Sequence, residues 1–299
     1  MTPIPFDRSF AAPYGEHIQL SPLIARVLAP NPGPFTFRGT GVYIVGTDNV
    51  AVIDPGPDIP AHLDALKEVL KDKHVTHILL THTHNDHSPA AAPLKAWTGA
   101  KTYAYGPHPR HREHDVEVEE GGDIAFEPDI LVCDGDILAG DGFTVECVFT
   151  PGHTSNHMCY ALREERALFT GDHVMGWSTS VVAPPDGDMA AYRESLAKLL
   201  ARDDRALWPT HGGPIRDPKP YLQAYLAHRA EREEQILACL REGITAIPGI
   251  VPRLYVDLDK RLYPAAGLSV LAHLIELVQR GRISADPTPT ASARFRLTW

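Results

Sequence analysis

The sequence predicts an α/β fold over its first two-thirds, followed by a small winged-helix-like unit. Three observations carry that expectation. Short β-rich runs alternate with helical periodicities up to about residue 215. Histidines and aspartates collect where those β-runs end. From residue 216 the texture changes to two long helical patterns and a hairpin.

The chain has 299 residues, which suits one large domain plus a small one, drawn at residues 1–215 and 216–299. Hydrophobic residues make up 43%, enough for a packed core. No stretch reads as the ~18 consecutive apolar residues of a membrane span, so no membrane partner is expected. The N-terminal residues hold Asp7 and two prolines without a basic start, unlike a signal peptide, which leads to a cytoplasmic expectation. Four scattered cysteines form no CxxC pair and read as reduced thiols. The formal charge of -10 argues against a broad electrostatic grip on nucleic acid. Residues 1–215 carry 16 basic and 29 acidic side chains, 216–242 five of each, and 243–299 seven basic and four acidic. That shift of balance supports a boundary near residue 216.

Taken in order, residues 42–45 and 50–54 form a β-hairpin around Gly46-Thr47-Asp48-Asn49. Residues 61–70 place Leu63, Leu66, Val69 and Leu70 at helical spacing. Residues 75–80 form a short buried strand that runs into a histidine cluster, and 89–97 are helical. Further strands are expected at 143–149, 167–170 and 206–208, with a helix at 190–200. Residues 221–240 read as one long helix and 268–278 as a second. Residues 281–284 and 295–298 form a closing hairpin whose connection holds Pro287 and Pro289.

The stretch His82-Thr83-His84-Asn85-Asp86-His87 follows a strand and precedes a helix, so it occupies a strand's C-terminal end. Imidazole nitrogen is a common zinc ligand, and carboxylate suits hard or borderline ions. On an extended approach His82 and His84 point the same way, and the following turn aims Asp86 and His87 at a neighbouring point. His153, Asp172 and His211 each follow a short β-run beside a glycine, which lets the backbone come close. Seven candidate ligands are a supply for two metals with open positions. His157 and His173 flank the ligands and are expected to orient them by hydrogen bonds. His108, His111 and His114 recur every three residues and are candidates for the pocket rim.

This constellation resembles the metallo-β-lactamase superfamily, whose HxHxDH motif is matched at residues 82–87. The resemblance implies an αββα four-layer sandwich over roughly residues 20–215. It implies one metal on His82, His84 and His153, a second on Asp86, His87 and His211, and Asp172 bridging both. Asp54 is implied as a brace for the metal loop and not as a ligand. Two Zn2+ per chain are implied, with Mn2+ or iron as alternatives. His211-Gly212-Gly213-Pro214, a helix containing His228-Arg229 and Glu234-Gln235-Ile236-Leu237, and the winged-helix-like tail resemble the β-lactamase-like hydrolases with an associated winged-helix domain. Asn31-Pro32 and Gly39-Thr40 also fit that group, whereas Gly41 stands where many relatives carry Asn. Some members are single-stranded endoribonucleases and others resemble thioesterases.

Two metals ~3.5–4 Å apart can generate a hydroxide near neutral pH and polarise the bond it attacks. Asp86 is the expected catalytic residue, orienting that hydroxide or taking its proton. The expected activity is hydrolysis of an ester, thioester, lactone or similar bond in a small molecule through a metal-bridging hydroxide. Cleavage of single-stranded RNA is the alternative. Only 38 residues lie between Asp172 and His211, too few for an inserted nucleic-acid domain. Iron-based oxidation and a non-catalytic regulator rank lower, as does β-lactam hydrolysis. Residues 268–279 contain no basic side chain, so duplex DNA is not expected as a partner, and a homodimer is left open. Any charge guidance of the substrate from the tail is expected from Arg253, Arg261 or Arg280.

Overall fold

The computed structural model describes residues 3–109 and 121–298. A first sheet is built from β1 (Ile18–Gln19), β2 (Ile24–Leu28), β3 (Gly41–Gly46), β4 (Asn49–Ile53), β5 (His74–Leu79), β6 (Lys101–Ala104) and β7 (Ile130–Leu131), in that spatial order. β1 to β4 pair antiparallel, and β4 to β7 pair parallel. The β3–β4 hairpin matches the sequence reading. β2 escapes it because all five of its residues are buried, so no polar–apolar alternation marks it.

The second sheet contains β8 (Ile137–Ala139), β9 (Thr144–Phe149), β10 (Met158–Leu162), β11 (Ala167–Gly171) and β12 (Ala206–Pro209), ordered β12-β11-β10-β9-β8. Only β11 and β12 run parallel there. Four helices cover the outer faces or extend from them: α1 (Pro60–Leu70), α2 (Ala91–Thr98), α3 (Met189–Leu200) and α4 (Pro218–Arg241).

Three cores separate four layers, as the αββα expectation requires. Between the sheets lie Tyr43, Ile53, Val145, Tyr160, Phe169 and Trp208. Leu66, Leu70 and Leu94 of α1 and α2 pack on the outer face of the first sheet. Tyr192, Leu196 and Tyr225 of α3 and α4 pack on the outer face of the second. The alternation in β9, with Val145 and Cys147 inward and Val148 outward, feeds two of these cores from one strand.

A fourth core builds the C-terminal unit from α5 (Ile247–Leu254), α6 (Tyr263–Gln279) and the hairpin β13 (Ile283–Asp286) with β14 (Arg294–Leu297). α5 is not expected from sequence, because Pro248, Gly249 and Pro252 read as helix breakers. Pro248 sits in the first turn, where its missing N–H costs nothing. The stretch Lys260–Gln279 meets the length and apolar composition of a membrane span, contrary to the sequence reading, and most of its apolar part is buried inside the structure. Burial against Ile250, Phe295 and α4 accounts for its apolar character.

Leu196 on α3 is fully buried. Leu196→Ala should cost about 2–5 kcal/mol of unfolding free energy, read as a lower urea midpoint at unchanged m-value. A loss within error of zero would show that α3 does not close this core.

Candidate metal centre

The site is assembled at strand ends. Asp54 follows β4, residues 81–87 follow β5, His153 follows β9, Asp172 follows β11 and His211 follows β12. Asp54 is fully buried and adopts a left-handed backbone with φ 50°, a conformation Asp tolerates better than most residues. Its Oδ1 accepts from the Thr81 backbone N–H at 2.7 Å. Its Oδ2 accepts from Thr81 Oγ1 at 2.7 Å and Thr210 Oγ1 at 3.1 Å. The same oxygen lies 2.9 Å from His87 Nδ1. One carboxylate thus ties the ends of β4, β5 and β12 together.

The six-residue cluster and the three distant residues converge in two groups. His82, His84 and His153 form one; Asp86, His87, Asp172 and His211 form the other. Within each group one donor atom per residue lies within 4.8 Å of the rest. His82 Nε2 and His84 Nδ1 approach to 3.0 Å. His211 Nε2 is 3.0 Å from Asp86 Oδ2 and 3.4 Å from Asp172 Oδ1. His87 Nε2 is 3.4 Å from Asp86 Oδ2 and 3.6 Å from Asp172 Oδ1. All seven sequence candidates are therefore brought together.

The ring orientations follow from the partners on the far side. His153 Nδ1 lies 2.8 Å from the Val181 carbonyl and His211 Nδ1 3.2 Å from that of Gly39. A carbonyl can only accept, so each Nδ1 carries a hydrogen and Nε2 faces the cluster. Asp54 does the same for His87. Glycines allow the close approach. Gly152, at φ 136°, would place a Cβ 2.3 Å from Tyr192 Cα, and Gly171, at φ 51°, one 2.6 Å from His157 Nε2.

Electrostatics separate the two groups. Burial, with neighbouring histidines adding to it, holds His82 well below its usual range and His84 at about 3. Burial also lowers His153. Those three rings are neutral and present lone pairs. In the other group burial opposes charge on His211, but Asp172 and Asp86 outweigh it and push it up to about 10. His87 is raised well above its usual range, with Asp86, Asp172 and Asp54 overcoming burial. Burial alone would raise Asp86 and Asp172, yet His87 and His211 hold both carboxylates below the usual range.

A metal fits these residues. His87 Nε2, His153 Nε2 and Asp172 Oδ1 are buried donor atoms with no hydrogen-bond partner, aimed into the cluster. Such atoms are costly unless something binds them. Imidazole nitrogens with carboxylate oxygens suit zinc and neighbouring divalent ions.

The flanking residues divide. His157 accepts the Asp172 backbone N–H on Nε2 at 3.3 Å and lies 3.0 Å from Thr150 Oγ1 through Nδ1. His173 departs from its expected orienting role: neither ring nitrogen has a hydrogen-bond partner, and the ring packs on Tyr192 with centroids 4.5 Å apart. Its neighbours there supply packing, not acceptors. His108 stands with its ring 6.4 Å from that of His84 and its Nδ1 2.9 Å from Thr83 Oγ1. His111 and His114 lie outside the described residues.

Beside Asp172 opens a cavity of about 430 Å³. Its walls come from Phe37 and Trp177, from Arg229 of α4, and from Tyr255, Leu258 and Leu262 of the C-terminal unit. The tail arginines singled out by sequence do not line it. Arg253 pairs with Glu242, Arg261 with Asp259 and Arg280 with Glu233. Each meets a nearer acid, two of them at exposed positions. Arg8 and Arg229 are the cavity's basic residues instead. The sequence names Arg229 only through a family pattern, and nothing local marks Phe37 or Trp177 as wall residues.

Comparison with known proteins agrees with this geometry. Residues 36–211, more than half of the chain, match the family described as the metallo-beta-lactamase superfamily. The chain belongs to the metallo-beta-lactamase superfamily. Residues 247–291 match the beta-lactamase associated winged helix domain. A lactamase-like protein of Penicillium aethiopicum is 31% identical, with 98% of this chain and 97% of that protein covered. An atrochrysone carboxyl ACP thioesterase of Claviceps purpurea is 35% identical, with 79% of this chain and 73% of that protein covered. Among solved structures, a metallo-beta-lactamase family protein of Thermus thermophilus superposes with a TM-score of 0.75 at 23% identity, covering 94% of this chain and 100% of that one. A beta-lactamase domain protein of Burkholderia ambifaria superposes at 0.78 and 20% identity, covering 98% and 97%. Those two likenesses speak for the fold. As a member of this metallo-beta-lactamase superfamily, the chain is a hydrolase.

Coordination through Nε2 requires His87 and His211 to be neutral, yet both hold protons at pH 7 without metal. Zinc titrated into chelator-treated protein at pH 7 should therefore release about two protons, measured calorimetrically in buffers of different ionisation enthalpy. Because His211 loses its proton only near about 10, zinc affinity should rise with pH across the neutral range. A proton count indistinguishable from zero, or affinity that falls with pH, would contradict the arrangement.

Proposed function

We propose that this protein hydrolyses a thioester or related acyl bond at two zinc ions held by His82, His84 and His153 and by Asp86, His87 and His211, with Asp172 between them. The observation that carries the reading is the gathering of buried ligand atoms that make no hydrogen bond, His153 Nε2 in one group and His87 Nε2 with Asp172 Oδ1 in the other. The placement of Asp172 supports its shared role. Its charge raises His87 and His211 and also counters the burial of His153, so its field reaches both groups.

Bound metals would supply Lewis acidity and a water acidic enough to attack near neutral pH. The chain's own residues do the rest. Asp86 Oδ2 faces His87 and His211, which leaves its other oxygen to orient the attacking water and accept its proton. Asp54, through His87 and Thr81, keeps the loop from rotating. The mostly apolar cavity holds the acyl part and sheds water from it.

The acyl assignment rests on that cavity and on the relatives named as ACP thioesterases. A small-molecule or carrier-linked acyl substrate suits it better than RNA. The three tail arginines are each paired with an acid, which leaves little free positive charge for a phosphate backbone. A cytoplasmic setting goes with this reading.

Three measurements test it. Purified protein should carry about two zinc ions per chain, lose thioester hydrolysis on chelation and regain it with zinc. Asp86→Ala should lower kcat/KM on the best thioester by about 100-fold or more while keeping a cooperative thermal transition. Retention of a tenth of wild-type activity would remove Asp86 from the chemistry. Metal-dependent RNA cleavage, with binding that falls steeply as salt rises, would replace the acyl substrate with a nuclease function.

A further inference from the structure

Arg229 differs from most of the basic residues around it, although Arg232 on the same helix also lacks an acid partner among the described residues. Arg193 and Arg280 share Glu233 and Glu276, and the exposed tail arginines each have an acid. Arg229 is only 3% exposed, and no carboxylate among the described residues pairs with it. Its Nη2 donates to the Ser180 carbonyl at 2.6 Å, and its guanidinium lies 4.8 Å from the centre of the Tyr192 ring. Its Nε is buried with no partner. A guanidinium stays charged at any ordinary pH and offers five N–H donors, so this one is under-satisfied.

Arg229 also lines the cavity beside Asp172. The opposite character dominates the rest of that wall. Phe37 and Trp177 stack with centroids 4.8 Å apart and planes 9° from parallel, and both border the cavity. Leu258 and Leu262 of the C-terminal unit border it too. Apart from Arg8, Asp172 and the hydroxyls of Ser178, Thr179, Ser180 and Ser269, the wall is apolar and aromatic, so a buried cation without an acid partner favours an anionic oxygen on a flat apolar body. Its planar fork favours a carboxylate, which can accept two N–H groups at once.

We propose that Arg229 is the anchor for an aromatic carboxylate, so that the acyl group cleaved here is a flat apolar body bearing an acidic oxygen remote from the scissile bond. This rests on the acyl-hydrolase reading for the identity of the reaction, and the anchor itself can be measured without turnover. The ring body packs between the aromatic wall and the C-terminal unit, while the carboxylate meets the part of the guanidinium that borders the cavity. Arg229 is then a specificity-determining residue, and the C-terminal unit supplies part of the acyl pocket.

The test compares 2-naphthoate with neutral 2-naphthamide, titrated into the zinc-loaded and the chelator-treated protein by calorimetry. Expected is a preference of about tenfold or more for the naphthoate in both forms, since charged hydrogen bonds to Arg229 do not need the metals. Arg229→Gln should reduce that preference to less than about threefold, and Arg229→Lys should retain a clear part of it. Arg8→Gln, altering the exposed arginine at the same cavity, should leave it within about twofold. If Arg229→Gln does not fold, wild type and Arg229→Lys still decide the matter. Equal binding of the two ligands by wild type overturns the proposal. So does a preference present only with zinc, which would place the carboxylate on the metals, or one lost in Arg8→Gln. Loss of thioester hydrolysis without loss of naphthoate preference would refute the reaction and leave the anchor standing.

Discussion

The Asp54 carboxylate is the constraint on which the site depends. It stands after β4 and takes hydrogen bonds from Thr81 after β5, the neighbouring strand of the same sheet, and from Thr210 after β12 in the other sheet. His87 completes the set. A buried carboxylate is tolerable only with such a full complement of donors. Removing it would leave Thr81 N, Thr210 Oγ1 and His87 Nδ1 unmatched at once, and would loosen two ligand-bearing loops relative to each other. The positive φ at Asp54 is the local cost of turning the chain so that one side chain reaches all of these.

Around that anchor the ligand rings are held by groups that can only accept. Val181 and Gly39 carbonyls fix His153 and His211 as Asp54 fixes His87. The cluster is therefore preorganised, with little left to rearrange when an ion arrives. The two groups differ in how they stay stable before that. The trio of His82, His84 and His153 is neutral, whereas the quartet balances Asp86 and Asp172 with charged His87 and His211. Protons stand in for the positive charge that a cation would bring.

Much of this was legible in the sequence, for a physical reason. A loop at a strand end crowds four ligands into residues 82–87, and each distant ligand follows its own β-run beside a glycine. Local patterns also exposed the amphipathic elements, such as α1 and α3. Elements without a polar face were harder: β2 and β10 are buried throughout, and α5 carries two prolines and a glycine. The cavity was invisible, because its walls come from Arg8, Phe37, Trp177, Arg229 and Leu258, spread over most of the chain. The burden placed on Arg253, Arg261 and Arg280 failed because charge in a sequence does not reveal its partner. His173 misled for a related reason, since adjacency to a ligand does not fix where a ring points.

The helix α4 belongs to two cores. Leu222 and Tyr225 in its first half pack against the second sheet, while Ile236, Leu237 and Leu240 in its second half pack in the C-terminal unit. A helix of 24 residues without an internal break transmits position along its length. The C-terminal unit is therefore not a bead on a string. A boundary drawn at residue 216 marks a change of composition, but no cut there or after residue 241 leaves two self-sufficient pieces. Proteolysis, truncation and domain exchange would all strand one apolar face of the same helix. The pocket wall and the ligand loops are thus tied to one helix, and evolution can reshape the wall only by substitutions that keep that helix seated in both cores.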